Sequence, residues 1–440
     1  MKQSSIEIVQ ILQKAGYIAY WAGGCVRDML LGNEAKDFDI ATNARPEEIE
    51  KLLKKTYPIG KDFGVILTEQ NGHHFEIATF RKEDEYIDGR RPEAVHFCDP
   101  KEDALRRDFT INSMFYDPIA DKLFDFASGK KDLSAKLIRF IGDPEKRINE
   151  DHLRIIRAIR FKNLLKFQYD PKTYQALKEY ADLSAKVANE RLRDELKKMI
   201  ESPFFINCLY DMHELRILNK ILPELEDMRG VAQPFFYHQE GDVFDHSLKA
   251  FSALNDESSF HLKWATLLHD VAKPKTYSQN GRIRFNEHAP KSKEISKQLL
   301  QRLAFSKKDI DHITWLTEHH MMIGNLLKMP KGRQRHWFLH PWFFELLELF
   351  RVDIAGTDPS IYELYNRIKN SYQDFLNHLQ TKNPDLNPFL NGKEIMDLIG
   401  MKPGPKLGEI IEHLREKQLA HEIKSKEEAI LWLKKTYKNF

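Results

Sequence analysis

Residues 23–42, GGCVRDMLLGNEAKDFDIAT, decide how this chain is read. The pair Gly23-Gly24 closes a β-rich run, YIAYWAG, and opens a helix. Without side chains there, backbone N–H groups can approach a triphosphate closely, and a helix N-terminus favours negative charge. Arg27 follows on the first helical turn, where a guanidinium suits a phosphate or a neighbouring carboxylate. Asp37 and Asp39 stand two apart on a predicted strand, so both carboxylates leave one face with Phe38 buried behind. Two convergent oxygen ligands are what Mg²⁺ takes from a protein, phosphate oxygens and water completing its shell. Two such ions can activate a hydroxyl and stabilise a leaving pyrophosphate. An Asp-x-Asp alone is more often a solvated acidic edge; the glycine turn and the arginine upstream reverse that weighting. Glu76, in FEIATFR on a later strand, is either a third carboxylate of the site or a plain exposed-face glutamate.

Around this stretch, residues 1–140 mix strands with helices. YIAYWAG, DFDIAT, YPIGKDFGVILTEQ and HHFEIATF are rich in β-branched and aromatic residues. From about residue 145 onward, apolar residues recur at three- and four-residue spacing, the period of helices. The fold class expected is α+β, a head with a small mixed sheet followed by an all-α body. The chain has 440 residues, 42% hydrophobic and 30% charged, enough for two to four domains. No run of about 18 apolar residues occurs, so no membrane span is expected. The N-terminus lacks the apolar core of a signal peptide. Cys25, Cys98 and Cys208 are far apart and form no CxxC pair, which argues against a disulfide framework or a thiolate zinc site. The expected location is cytoplasmic. A net charge of +2 carries no nucleic-acid signal, so any such contact must come from local patches.

Farther along, EDHLRIIRAIRF (150–161) places Asp151, Arg154, Arg157 and Arg160 along one side of a predicted helix. Ile155, Ile156 and Ile159 occupy the opposite side. An aspartate can accept from the exocyclic amine of cytosine or adenine, and an arginine can donate to the neighbouring ring nitrogen. Uracil and guanine put a carbonyl where that amine would be, and unpaired polar groups are a strong discriminator. A surface helix laced by i,i+3 salt bridges is the plainer reading of the same spacing.

The run 23–42 is similar to the signature of the class II CCA-adding enzyme and bacterial poly(A) polymerase family, in the polymerase-β-like nucleotidyltransferase superfamily. DGRRPEAVHF (88–97), RRDFTIN (106–112), EDHLRIIRAIRF and ERLRDEL (190–196) follow in that family's order. The resemblance implies Mg²⁺-dependent, template-independent extension of the tRNA 3′ end with CTP and ATP. It assigns catalysis and Mg²⁺ to Asp37 and Asp39, with Glu76 a further candidate catalytic carboxylate. Nucleotide contacts fall to Gly23, Gly24, Arg27, Arg106, Arg107, Asp108, Asn112, Asp151, Arg154, Arg157 and Arg160. Within these, Asp151 and Arg154 read the base, and Asp108 or Asn112 hydrogen-bonds the ribose 2′-hydroxyl. DGRRP resembles a flexible segment; in ERLRDEL, Glu190 and Arg193 could form helix pairs, and the segment's role is read as mainly structural, bracing the recognition helix. The domains expected are a catalytic head at 1–140, a helical neck at 141–205, a metal-binding helical domain at 206–360 and a tRNA-binding tail at 361–440.

Between 238 and 353 a second series appears: His246, His269-Asp270, His288, His319 (beside His320) and Asp353. This order resembles the HD phosphohydrolase superfamily. Imidazoles with carboxylates suit Mn²⁺, Fe, Ni²⁺ or Zn²⁺, and a metal-bound hydroxide can hydrolyse phosphoesters. His238 is a further nearby histidine without an assigned role. Basic runs at 291–302, 331–337 and 415–429 are candidates for RNA contact, each also readable as a solvated helix face. Relatives that add only C, only A or poly(A) share these motifs. A reading of another class makes the HD site the principal enzyme and the head a nucleotide- or RNA-binding module. Oligomeric state is not legible.

Overall fold

The computed structural model describes residues 1–58, 61–83, 95–234, 241–382 and 387–437. They form two compact units, Met1–Pro223 and Glu224–Phe440. The first unit therefore runs beyond the 205/206 boundary expected from the sequence.

The first unit is α+β. Its strands are β1 (Ala19–Ala22), β2 (Asp39–Thr42), β3 (Thr56–Tyr57), β4 (Val65–Gln70), β5 (His73–Thr79), β6 (Arg81–Glu83), β7 (Val95–Phe97), β8 (Phe115–Asp117) and β9 (Lys122–Phe124). Seven of them make one sheet in the order β3-β4-β5-β2-β1-β8-β9. Only β2 and β5 run parallel in it, which makes the sheet mixed. In register, Ala22 of β1 faces Asp39 of β2, and Ile40 of β2 faces Ile77 of β5. The strand read across YPIGKDFGVILTEQ is two strands, β3 and β4, separated by a 3₁₀ turn at Lys61–Phe63. Gly64, at φ +75°, permits the reversal into β4. Most of DGRRPEAVHF lies outside the described residues; its end, Val95–Phe97, pairs with β6.

Helices α1 (Lys2–Lys14), α2 (Gly24–Leu30), α3 (Pro46–Leu52), α4 (Pro100–Arg106) and α5 (Gly129–Ser134) accompany the sheet. Five more follow: α6 (Pro144–Glu150), α7 (Leu153–Leu165), α8 (Pro171–Glu179), α9 (Asn189–Ile200) and α10 (Phe205–Glu214). Helix α6 starts where Asp143 accepts from the Glu145 amide, with Pro144 in the first turn. Helix α7 sinks Ile155, Ile156 and Ile159 fully into the unit. Each such side chain gains about 2 kcal/mol over exposure.

The second unit is mainly helical, with helices at Val243–Ser252, Phe260–Leu268, His288–Arg302, Lys307–His319 and Phe343–Gly356. Its helical pattern is broken by a hairpin, Tyr277–Asn280 with Arg282–Phe285, that the apolar period did not anticipate. The signal for it is Asn280-Gly281, with Gly281 at φ +73° at the turn. Toward the C-terminus, Leu390, Ile395, Ile410, Leu414 and Leu433 form a separate apolar core. No helix among the described residues is long and apolar enough to cross a membrane. The three cysteines are free.

Candidate active site

Strand β1 stops at Ala22, and Gly23 turns the chain into α2 at φ +71°. The positive φ calls for glycine here, and a Cβ on Gly23 would stand 3.1 Å from the Arg107 guanidinium, which would have to give by a few tenths of an ångström. Beside this turn, Asp37 and Asp39 are exposed while Phe38 is buried against Trp21, ring centres 4.8 Å apart. The alternation holds although Asp37 precedes the first residue of β2. Glu76 sits on the outward face of β5, one residue before the Ile77–Ile40 pairing, and so lies abreast of Asp39. Crowding by protein atoms lifts the Asp39 carboxyl to about 6; Glu76 adds to the lift, Arg107 opposes it and Asp37 adds again. Three carboxylates therefore share one face of the sheet, at the ends and flanks of its interior strands β2 and β5. Their hard oxygens are the donor set that fits Mg²⁺.

A cluster of arginines lies next to this face. Buried Arg27 donates from Nη1 to Asn112 Oδ1 at 2.8 Å and from Nε to Asp28 Oδ1 at 2.8 Å. Arg107 donates to the Asn112 carbonyl at 3.3 Å. Both Arg106 and Arg107 pair with the buried carboxylate of Asp103, at 2.9 and 3.1 Å. Burial would raise that carboxyl, but Arg107 and Arg106 override it and hold it below the usual range. Asp108 is buried and accepts from Arg157 Nε at 2.8 Å, from the Phe109 amide at 2.7 Å and from Asn112 Nδ2 at 3.4 Å. Burial again opposes ionisation, and Arg157 and Arg154 overcome it.

The recognition segment differs from its sequence reading. Asp151 lies before α7, where its Oδ1 accepts from the Leu153 amide at 3.1 Å. It does not pair with Arg154; it pairs bidentately with Arg191 of α9, at 2.9 and 2.8 Å. Arg154 is buried and donates to Glu150 at 2.7 Å and to the carbonyls of Arg147 and Arg106, at 2.8 and 3.0 Å. Arg160 donates to Glu195 at 2.5 Å, and Arg157 lies 3.5 Å from the same carboxylate. The stripe expected on an open face is thus largely drawn inward. Asp108, which follows α4, Glu150 of α6 and Glu195 of α9 are the carboxylates that hold it there.

In the second unit, six side chains converge. His246 Nε2 lies 3.0 Å from Asp353 Oδ1, and His269 Nε2 lies 3.2 Å from Asp270 Oδ2. The other oxygen of Asp270 is 3.3 Å from His288 Nε2 and 3.8 Å from His320 Nε2. Two three-residue sets result, His246/His269/Asp353 and Asp270/His288/His320. The helix carrying Asp353 comes in close because Gly356 has no side chain; a Cβ there would meet His246 and Ala250 at 3.0 Å. His319, expected as a ligand, is not in the set. Its Nδ1 donates to the Trp315 carbonyl at 2.7 Å and its ring packs on Trp315 and Trp337. His320 takes its place.

The hydrogen bonds define the tautomers. Nδ1 of His269, His288 and His320 faces the carbonyls of Thr266, Phe285 and Thr317 at 2.8, 2.8 and 2.7 Å, so each Nδ1 carries the proton. Burial holds His288 and His320 below the ordinary imidazole range, so each of their Nε2 atoms offers a lone pair to the centre, the two lying 3.1 Å apart. His269 differs: against the effect of burial, Asp270 and Asp353 raise it to about 10, and its Nε2 faces Asp270 at 3.2 Å. Facing lone pairs repel unless a cation lies between them. The donor set of imidazoles and carboxylates fits a transition metal.

Three stretches match family models: residues 19–139 the poly A polymerase head domain, 166–229 the probable RNA and SrmB-binding site of polymerase A, and 288–433 tRNA nucleotidyltransferase domain 2, putative. The CCA-adding enzyme of Streptococcus mutans is 30% identical over 98% of this chain and 96% of its own. This chain belongs to the CCA-adding enzyme family. The CCA-adding enzyme of a Geobacillus species is 42% identical over 52% of this chain and 57% of its own. In fold, the chain is similar to the crystal structure of the Bacillus stearothermophilus CCA-adding enzyme in complex with CTP. That TM-score is 0.71, at 24% identity and over 98% of this chain and 96% of that one.

Against the CCA-adding family motifs, the sequence reading missed three residues that organise the first-unit site: Asp103, Arg191 and Glu195. Arg191 and Glu195 lie inside ERLRDEL, but the bracing pairs expected there were Glu190 and Arg193. Arg193 instead pairs with its neighbour Asp194. The i,i+4 spacing of Arg191 and Glu195, which puts both on one face of α9, was the available signal.

Proposed function

We propose that this chain builds the CCA terminus of tRNA without a template, consuming CTP and ATP and releasing pyrophosphate. The observation that carries this is the trio Asp37, Asp39 and Glu76 beside the Gly23 turn, in a member of the CCA-adding family. Asp37 and Asp39, with Glu76 alongside, would hold Mg²⁺. Bound there, Mg²⁺ supplies Lewis-acid activation of the terminal hydroxyl and charge neutralisation at the leaving pyrophosphate. Backbone amides at Gly23 and Gly24 and the guanidinium of Arg107 neighbour these carboxylates and would receive the triphosphate. The Asp108–Asn112 pair reads the ribose. Asp151 accepts from the base amine, and Arg154 donates to the ring nitrogen from hydrogens beyond the three bonds described above. Cytosine and adenine share that edge, which is why these residues do not separate C addition from A addition. The place of action is the cytoplasm, and the tail would grip the acceptor arm.

The test uses purified chain, tRNA lacking its terminus, Mg²⁺ and each labelled nucleotide in turn. CTP and then ATP are incorporated, and UTP and GTP are not. Failure with CTP would favour an A-adding enzyme or a poly(A) polymerase.

A second reading concerns the other unit. The lone pairs of His288 and His320 at 3.1 Å support a transition-metal site there, which these histidines with His246, His269, Asp270 and Asp353 would hold. Phosphoester hydrolysis is the chemistry that site would serve. Metal content of the purified chain, and release of the alcohol from a generic phosphodiester with the phosphomonoester as co-product, test it independently of nucleotide addition.

A further inference from the structure

Asp151 is held by a side chain to which none of the roles above assigns nucleotide chemistry. Arg191 donates from Nη1 to Oδ1 at 2.9 Å and from Nη2 to Oδ2 at 2.8 Å. The Leu153 amide also donates to Oδ1. A carboxylate oxygen has two acceptor sites, so Oδ1 has both filled and Oδ2 has one filled, among the bonds described. The two parallel bonds also fix the plane of the carboxylate. The pair is half-buried rather than solvated, at 32% and 18% side-chain exposure, so the geometry is not averaged away by water.

We propose that Arg191 is a positioning residue for base selection. It locks the Asp151 carboxylate so that Oδ2 offers its remaining lone pair to the amino group of CTP or ATP. The proposal rests on the reading of Asp151 as the base-sensing acid.

Helix α9 grips the recognition segment at two points of opposite sign. Glu195 lies one turn beyond Arg191 and binds Arg160, with Arg157 close by. That contact, together with the buried Leu192, Leu196 and Met199 of α9, already serves to dock the helix. The Arg191 fork adds something docking does not need, a set orientation for one carboxylate two residues before the helix begins. Uracil and guanine bring a carbonyl oxygen to the place of the amine. Against a fixed acceptor, that carbonyl meets lone pair with lone pair. A carboxylate free to turn removes the penalty, and selection against U and G goes with it. Lysine keeps the charge of Arg191 but not the planar fork.

The test measures kcat/KM for CTP, ATP, UTP and GTP on tRNA lacking its terminus, with the full chain and Mg²⁺. Arg191→Lys and Arg191→Met are compared with Asp151→Asn. The CTP-to-UTP ratio is taken within one preparation, so the fraction of folded enzyme cancels. Both Arg191 variants should lower that ratio by about 100-fold, the scale expected when a recognition group is misplaced by an ångström. A ratio within about threefold of the native chain in both variants, whatever the loss of rate, overturns the proposal and leaves Arg191 merely structural. Asp151→Asn separates the two ideas. If it leaves the ratio unchanged, Asp151 does not sense the base and the underlying reading fails. If it collapses the ratio while the Arg191 variants retain it, only the positioning role fails.

Discussion

The two acid-bearing clusters of this chain face opposite electrostatic problems. On the sheet face of the first unit, Asp37, Asp39 and Glu76 gather like charges, and Asp39 rises to about 6. In the second unit, Asp270 and Asp353 are held well below the usual carboxylate range. Burial opposes their ionisation, and it is overridden at Asp270 by His269 and Lys273 and at Asp353 by His246 and His269. The first set is made of acids alone and is exposed at Asp37, Asp39 and Glu76. That suits an ion that arrives with a triphosphate and brings ligands of its own. The second set mixes nitrogen and oxygen, is mostly buried, and suits a resident ion. An open site stores repulsion until its partner comes; a closed one carries its compensation within it.

The contrast breaks most clearly under a crossed pair of substitutions. Asp39→Ala lowers incorporation of labelled CTP by about 1000-fold, the scale of several kcal/mol of lost charge stabilisation. Asp270→Asn leaves it within about twofold, as independent sites should. Equal losses would mean that the two sets act as one. A smaller effect separates neighbouring histidines. His320→Ala weakens Mn²⁺ binding by about 100-fold, whereas His319→Ala leaves it unchanged, read by metal retained after dialysis. The reverse result would restore the sequence-based ligand and refute the geometry.

The smallest effect tests the stored repulsion itself. The Asp39 carboxyl is raised to about 6 in the folded chain against an ordinary value of 3.8. Between these values the folded state binds more protons than the unfolded state, so stability falls as pH rises through that window. Asp39→Asn removes the dependence. In EDTA at neutral pH it should melt above the native chain by about 1 kcal/mol, after discounting for the exposure of the residue. Near pH 4 the two should coincide. A variant less stable than the native chain at neutral pH would show that the trio is not strained.

The parts of this site legible in the sequence are those with a local period. The Gly23 turn and the exposed-buried-exposed order of Asp37, Phe38 and Asp39 follow from strand geometry, which needs only three residues to state. Pairings across distance leave no such trace. Arg191 meets Asp151 across 40 residues, and Arg157 meets Asp108 across 49. Nothing in either local pattern names the partner. The exchange of His319 for His320 has another cause. Consecutive residues at a helix end differ by about 100° in direction, so a one-residue uncertainty in the end changes which ring faces the centre. The hairpin at 277–285 was legible through Asn280-Gly281 and the polar–apolar alternation of Arg282–Phe285, but its first strand, Tyr277–Asn280, is exposed throughout and carries no apolar alternation.

The pairing of β1 with β2 has one more consequence. If β2 slipped by a single residue, Phe38 and Ile40 would turn toward the nucleotide side and both aspartates would face the core. Unpartnered carboxylates there cost several kcal/mol each. A mis-threaded sheet would then be too unstable to persist as an inert look-alike. Assembly of the strand is its own quality control: chains that complete folding have already set their acids where chemistry requires them.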